Sequence, residues 1–170
     1  VWSLRLNDIH DSFQPVLFTR WKQEHAQLLM GTREDLKKYP SSDPRHVWSF
    51  ADFAHQEVRD MVVANVKDVV NRYNVDGAEL DFLRHTCFFK ETRLYQPATR
   101  EHTDMLTDMV GQVRREILAA SAKKGSPILL CVRVLPGLEL NRRFGFDVER
   151  WIERGYIDVL VVGGGYDPFT

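Results

Sequence analysis

The stretch Val75–Arg84, reading VDGAELDFLR, holds the residue types in this chain best suited to chemistry. Read as a strand, its side chains alternate. Gly77, Glu79, Asp81 and Leu83 share one face, and Ala78, Leu80 and Phe82 share the other. The second face is apolar and suits packing under helices. The first carries two carboxylates two residues apart. Burying two acids there is costly unless they are paired or stand in a solvated pocket. Such a pair suits proton-transfer chemistry, with one carboxyl as acid and the other as base or nucleophile. A purely structural alternative has Asp81 capping the segment that follows and Glu79 pairing with an arginine. The alternation favours the chemical reading, because it aims both acids to one side at a strand end.

Three further clusters belong with these acids. In Arg5–Asp11, RLNDIHD, Arg5 and Asn7 fall on one strand face, and Asp8, His10 and Asp11 enter a loop. A dense polar cluster there suits a substrate-binding rim. A metal-dependent alternative uses Asp8 and His10 with Asp81, and a plain polar turn with side-chain capping is the structural one. Arg133, inside the apolar run LCVRV, needs an anionic partner, and Glu79 or Asp81 would serve. GGGYDP, residues 163–168, permits close approach of a ligand to backbone, with Tyr166 and Asp167 lining a subsite; a tight turn is the alternative. Arg84 and His85 follow the acidic strand and belong at the pocket rim. His55, Trp48 and Trp21 are lesser candidates, and His25, His46 and His102 read as surface residues. No Ser-His-Asp or Cys-His arrangement can be argued from spacing. Cys87 and Cys131 match neither a metal nor a disulfide framework, and Cys131 reads as a small core residue.

Four strand-like runs would position these residues: Trp2–Asn7, Gly77–Leu83, Ile128–Val134 and Ile157–Gly163. The last two are nearly continuous apolar runs, as in strands covered on both faces. Helical spacing connects them over His55–Tyr73 and Thr103–Ala122, the latter stopped by Gly125. A shorter helix over Val148–Arg154 has Asp147 as cap and Gly155 as terminator. Strand and helix alternate, which predicts an α/β fold with a parallel sheet and right-handed crossovers. Two long irregular stretches, Asp8–Ser49 and His85–Arg100, follow strand C-terminal ends. Enzymes built as (β/α)8 TIM barrels place their sites on such loops. No glycine-rich nucleotide-binding motif follows a strand, which argues against a doubly wound nucleotide-binding fold. The expected fold is therefore part of a (β/α)8 TIM barrel. Four strands cannot close one, and a full barrel takes roughly 250 residues. Residues 1–170 are expected to be a fragment of one such domain, with the remainder supplied by segments outside this sequence.

The balance of 23 basic and 24 acidic residues, net charge −1, carries no electrostatic footprint for nucleic acid or a membrane surface. No run reaches the roughly 18 apolar residues of a membrane span. No signal peptide is visible, but the sequence begins at Val1 inside a strand. Location is left open, a secreted or periplasmic one included.

At DGAELDFLRH the sequence resembles a large set of glycoside hydrolase-like barrel proteins, mostly uncharacterised. The resemblance extends over FADFAHQEVRDMVVANVKDVVNRYNVDGAELDFLRH, PILLCVRVLP, FDVERWIERGYIDVLVVGG and RLNDIHD, in matching order. It implies barrel strands three to six and a carbohydrate substrate but fixes no mechanism; with the strand reading, Glu79 and Asp81 are the expected catalytic acids. Arg5, Asn7, Asp8, His10, Arg84, His85, Arg133 and Tyr166 would bind substrate or tune those acids. It implies no cofactor and no metal. The segment is also similar to the fourth-strand motif of the α-amylase family, which puts Asp81 at the nucleophile and His85 at the histidine. Glu79 stands where that family has arginine, and LCVRVLP lacks its glutamate. A chitinase-like motif overlaps too, but its catalytic glutamate falls on Leu83. In the clan of retaining β-glycosidases a fourth-strand glutamate is the acid/base and the nucleophile lies on strand seven, beyond Thr170. A barrel that binds carbohydrate without cutting it is the rival expectation.

Overall fold

The computed structural model of the protein describes residues 1–83 and 85–163. Among these, four strands form one parallel sheet: β1 (Trp2–Arg5), β2 (Gly77–Asp81), β3 (Leu129–Val134) and β4 (Val159–Val162), in the order β1-β2-β3-β4. The helices in chain order are α1 (Arg20–Glu24), α2 (Asp35–Lys38), α3 (Gln56–Arg72), α4 (Lys90–Arg93), α5 (Arg100–Lys124), α6 (Leu138–Arg143) and α7 (Val148–Glu153). The fold is thus α/β with a parallel sheet, as the alternation of runs predicts.

The principal helices follow from apolar residues recurring every three or four positions. Val58, Val62, Val66 and Val70 of α3 are buried, as are Leu106, Met109, Val110, Val113 and Ile117 of α5. α3 lies against α5, and α5 against α7. Gly111 lets α5 approach closely, since a Cβ there would stand 2.9 Å from the Tyr156 ring. Gly125 ends α5 in the left-handed region, at φ 74°, which a residue without Cβ adopts cheaply. Asp147 caps α7 by accepting from the Arg150 N–H.

The register puts Leu4, Leu80, Val132 and Leu160 in one row, with Ala78 beside Leu130. This is the face the helices cover. Ala78, Leu80, Phe82, Leu130 and Val132 have no exposed surface. Phe82 sits within 5.0–5.4 Å, ring centre to ring centre, of Phe88, Phe146 and Trp151. The Trp151 indole N–H is satisfied by Thr107 Oγ1 at 3.1 Å. Burying each such side chain stabilises by about 1.5–3 kcal/mol.

The opposite face carries the rows Gly77–Leu129, Ser3–Glu79–Cys131–Val159 and Arg5–Asp81–Arg133–Val161. Among the described residues no helix packs on it, and Leu129 and Val159 are 41% and 37% exposed there.

The two long stretches are less irregular than expected. Residues 8–49 hold α1, α2 and single turns of 3-10 helix, and Leu29 bridges Ala51. Buried Arg93 organises them by donating to the carbonyls of Pro44, Met30 and Arg45. α5 starts three residues before the expected Thr103, because Thr99 Oγ1 accepts from the His102 N–H and His102 Nδ1 accepts from the Thr99 N–H.

Candidate active site

Glu79 is 8% exposed and both its carboxylate oxygens are engaged. Ser3 Oγ donates to Oε1 at 2.7 Å from β1, and Arg133 Nη2 donates to Oε2 at 3.1 Å from β3. The acid is therefore gripped by both neighbouring strands. The lone arginine of the apolar run thus finds an anion across the ladder.

Asp81 stands one layer nearer the C-terminal ends of the strands. Its Oδ1 accepts from the Leu83 N–H at 2.9 Å, turning the chain out of the sheet. Its Oδ2 makes no hydrogen bond to any described residue. Arg5 and Arg133 flank it at the same register on the two neighbouring strands. Their guanidinium groups turn to other acids, Arg133 to Glu79 and Arg5 to Asp8. Along β2 the two acids are about 6.6 Å apart at Cα, from two rises of a strand.

At the end of β1, Asp8 accepts from the backbone N–H of His10 at 3.0 Å, closely from the His10 ring Nδ1, and more weakly from Arg5 at 3.5 Å. Burial pushes the Asp8 carboxyl up, but the His10 and Arg5 hydrogen bonds outweigh it and hold the group at about 2. The His10 ring meets His85 edge-on at 6.4 Å, and His85 meets Phe50 at 5.9 Å. His10 and His85 thus meet from loops that leave different strands.

Asn7 has a different position from the rim residue its alternation suggests. It is 3% exposed and committed to backbone. Its Nδ2 donates to the carbonyls of Ala51 and Cys87, and its Oδ1 accepts from the Ala51 N–H. It ties the end of β1 to the loops after β1 and β2. Arg84, Tyr166 and Asp167 lie outside the described residues. Of GGGYDP only Gly163 is described, and it lies beside Leu83.

The lesser candidates scatter. His55 lies 3.9 Å from buried Asp52, beside Lys90. Trp48 is buried against Phe18, and Trp21 stacks on His25 at 4.8 Å. His102 is packed rather than solvated, stacked on Phe89 at 4.0 Å. Among the described residues no group of three or more His, Cys, Asp or Glu could hold a metal ion, so Asp8, His10 and Asp81 form no such centre. Burial pushes the Cys87 thiol up to about 11. Burial and then the Glu79 charge push Cys131 up as well. Neither is a reactive thiolate.

Spacing gave no hint of Lys22. Its Nζ donates to Asp11 Oδ2 at 2.6 Å and to the Asp8 carbonyl at 3.1 Å. Ser49 Oγ donates to the other Asp11 oxygen, and Ser12 and Ser49 share a 2.6 Å hydrogen bond. Lys22 and Asp11 also line a cleft of about 580 Å³ with Arg5, Asp8 and His10. Neither Glu79 nor Asp81 lines it. The cleft runs along the edge of β1 beneath Leu6 and against Met61 and Asn65 of α3. It thus reaches from Arg5, Asp8 and His10 to the helix side of β1, and the two acids lie outside it.

No protein-family model matches the chain, and no curated protein does.

Proposed function

We propose that these residues form part of a (β/α)8 barrel and that the protein is a glycoside hydrolase acting through carboxylates at its strand ends. Support for the barrel comes from the strand order β1-β2-β3-β4 and from the uncovered sheet face. In a closed barrel that face is the interior, so exposed Leu129 and Val159 would become core, and the β1 cleft would seat a neighbouring strand and its helix. The remaining strands come from chain outside residues 1–170.

The observation that carries the function is the row Arg5–Asp81–Arg133 with Glu79 one layer below, at the C-terminal end of a parallel sheet. Asp81, with Oδ2 available, takes a proton or a sugar hydroxyl, and Glu79 is the second acid, set in place by Ser3 and Arg133. Retaining glycosidases hold their catalytic carboxyls about 5–5.5 Å apart, and inverting ones about 6.5–9.5 Å. Two acids on one strand face favour the shorter range, or a partner acid on another strand. Arg5, Asp8, His10 and His85 form the substrate rim, and Arg84 and Tyr166 join them in this reading.

One observation favours a second reading. Both Glu79 oxygens and Asp81 Oδ1 serve structural hydrogen bonds, as in a barrel that binds carbohydrate without cutting it. The full-length protein screened against a glycan panel, beside Glu79→Gln and Asp81→Asn, separates the two. Hydrolysis by the wild type, lost about 100-fold or more in either variant, supports catalysis. Full rates in both variants would falsify the assignment. Binding without hydrolysis by the wild type would favour the second reading.

A further inference from the structure

Lys22 is 14 positions from Asp8, yet it joins the Asn7 anchor in tying the Asp8–His10 pair to the body of the protein. We propose that Lys22 is a positioning residue, acting through Asp8 to set the His10 ring; this rests on the reading of Asp8 and His10 as rim residues. Nζ of Lys22 stands between two acceptors from the same loop, the Asp8 main-chain oxygen and the Asp11 carboxylate. The side chains of Lys22 and Asp11 are only 12% and 6% exposed. At that burial the ammonium is a fixed point rather than a waving surface charge, since an unpaired ion there is costly. Asp11 is in turn anchored through Ser49, whose N–H and hydroxyl both meet Ser12.

The strut therefore runs from Ser49 through Asp11 and Lys22 to the backbone of Asp8. Asp8 presents its carboxylate to both the N–H and the ring Nδ1 of His10. Fixing the Asp8 backbone fixes that carboxylate, and the carboxylate selects the ring tautomer with its proton on Nδ1. Arg5 reaches Asp8 only at 3.5 Å and from a side chain 58% exposed, so it cannot substitute for the strut. Lys22 thereby sets the direction in which His10 faces a ligand.

Ring-nitrogen NMR of the folded protein tests this without any sugar. The Nδ1 proton of His10, held by a carboxylate, gives a downfield signal slow to exchange, assigned by its absence in Asp8→Asn. Lys22→Met alone strands the Asp11 charge and risks unfolding, so the deciding variant is Asp11→Asn with Lys22→Met, which removes both charges. The expected result is loss of the His10 signal in this double variant, with its circular dichroism unchanged, and its retention in Lys22→Arg. Persistence of the signal in the folded double variant overturns the proposal. On any glycan that the wild type takes, the double variant is expected to raise KM about tenfold or more, and Lys22→Arg to stay near wild type. A panel in which no glycan is bound or cut sinks the sugar reading, while the His10 signal still decides the role of Lys22.

Discussion

Along β2, Leu80 and Phe82 have no exposed surface, whereas Glu79 and Asp81 on the opposite side meet serine, arginine and the turn that follows. One side is held by packing alone, through α3, α5, α7 and a cluster of four large aromatic rings. The other is held by directional contacts between strands and remains open. A residue on the first side is replaceable only by something of the same shape and polarity. A residue on the second can lose its charge at small cost to folding, because Arg133, 39% exposed at its side chain, can turn to water. The division between holding the sheet together and doing work at its end runs through a single strand.

The largest effect that could break this contrast is Leu80→Glu. A carboxylate forced under α3 and α5 has no partner, and the loss should exceed about 4 kcal/mol, enough to leave little folded protein. Circular dichroism and urea titration would reveal it; a stable Leu80→Glu protein would mean that this face is not core.

Asn7→Ala comes next. It orphans the Ala51 N–H and the Ala51 and Cys87 carbonyls together, at roughly 2–3 kcal/mol. An unfolding midpoint unchanged in urea would show that water replaces all three bonds.

Glu79→Gln should move stability by about 1 kcal/mol or less, since an amide keeps the shape and one acceptor. A cost as large as that of Asn7→Ala would erase the distinction between the two faces and recast Glu79 as structural.

Asp8→Asn should cost stability above pH 3.8 and little near pH 2. The folded Asp8 carboxyl lies at about 2, below its ordinary 3.8, so its contribution is complete above 3.8 and is lost as pH falls through about 2. The side chain is 37% exposed, and screening reduces the effect to on the order of 1 kcal/mol or less. Thermal midpoints of wild type and variant should therefore diverge above pH 3.8 and converge near pH 2; curves a constant distance apart through this window would remove Asp8 as the cause.

Much of this was legible in the residues because it is local. Two-residue periodicity separates Leu80 from Glu79, three-to-four-residue periodicity draws α3 and α5, and Gly125 and Asp147 mark helix ends by their own chemistry. The need of Arg133 for an anion followed from its apolar neighbours, and Glu79 supplies it. What escaped depends on distant partners. Asn7 alternates correctly with Arg5 but turns to Ala51 and Cys87, residues 44 and 80 positions away. Lys22 and Arg93 look like ordinary surface cations until the loops they brace are in place. The turn LELNRR, α6, has no apolar stripe, and its buried Asn141 is held by Leu135 and Gly137 backbone instead.

The order β1-β2-β3-β4 has a consequence for synthesis. Each strand pairs with the one made just before it, and each connecting helix packs on its predecessor. As the chain leaves the ribosome, β2 finds β1 waiting, and β3 finds both. Each pairing still waits for the whole crossover between its strands, and parallel pairing across such separations is slow. The growing edge passes from strand to strand as each arrives, so the interval in which that edge can capture a foreign chain is the time taken to make the next helix and strand. At about 5–20 residues per second, the 47 positions that separate Asp81 from Leu129 take a few seconds.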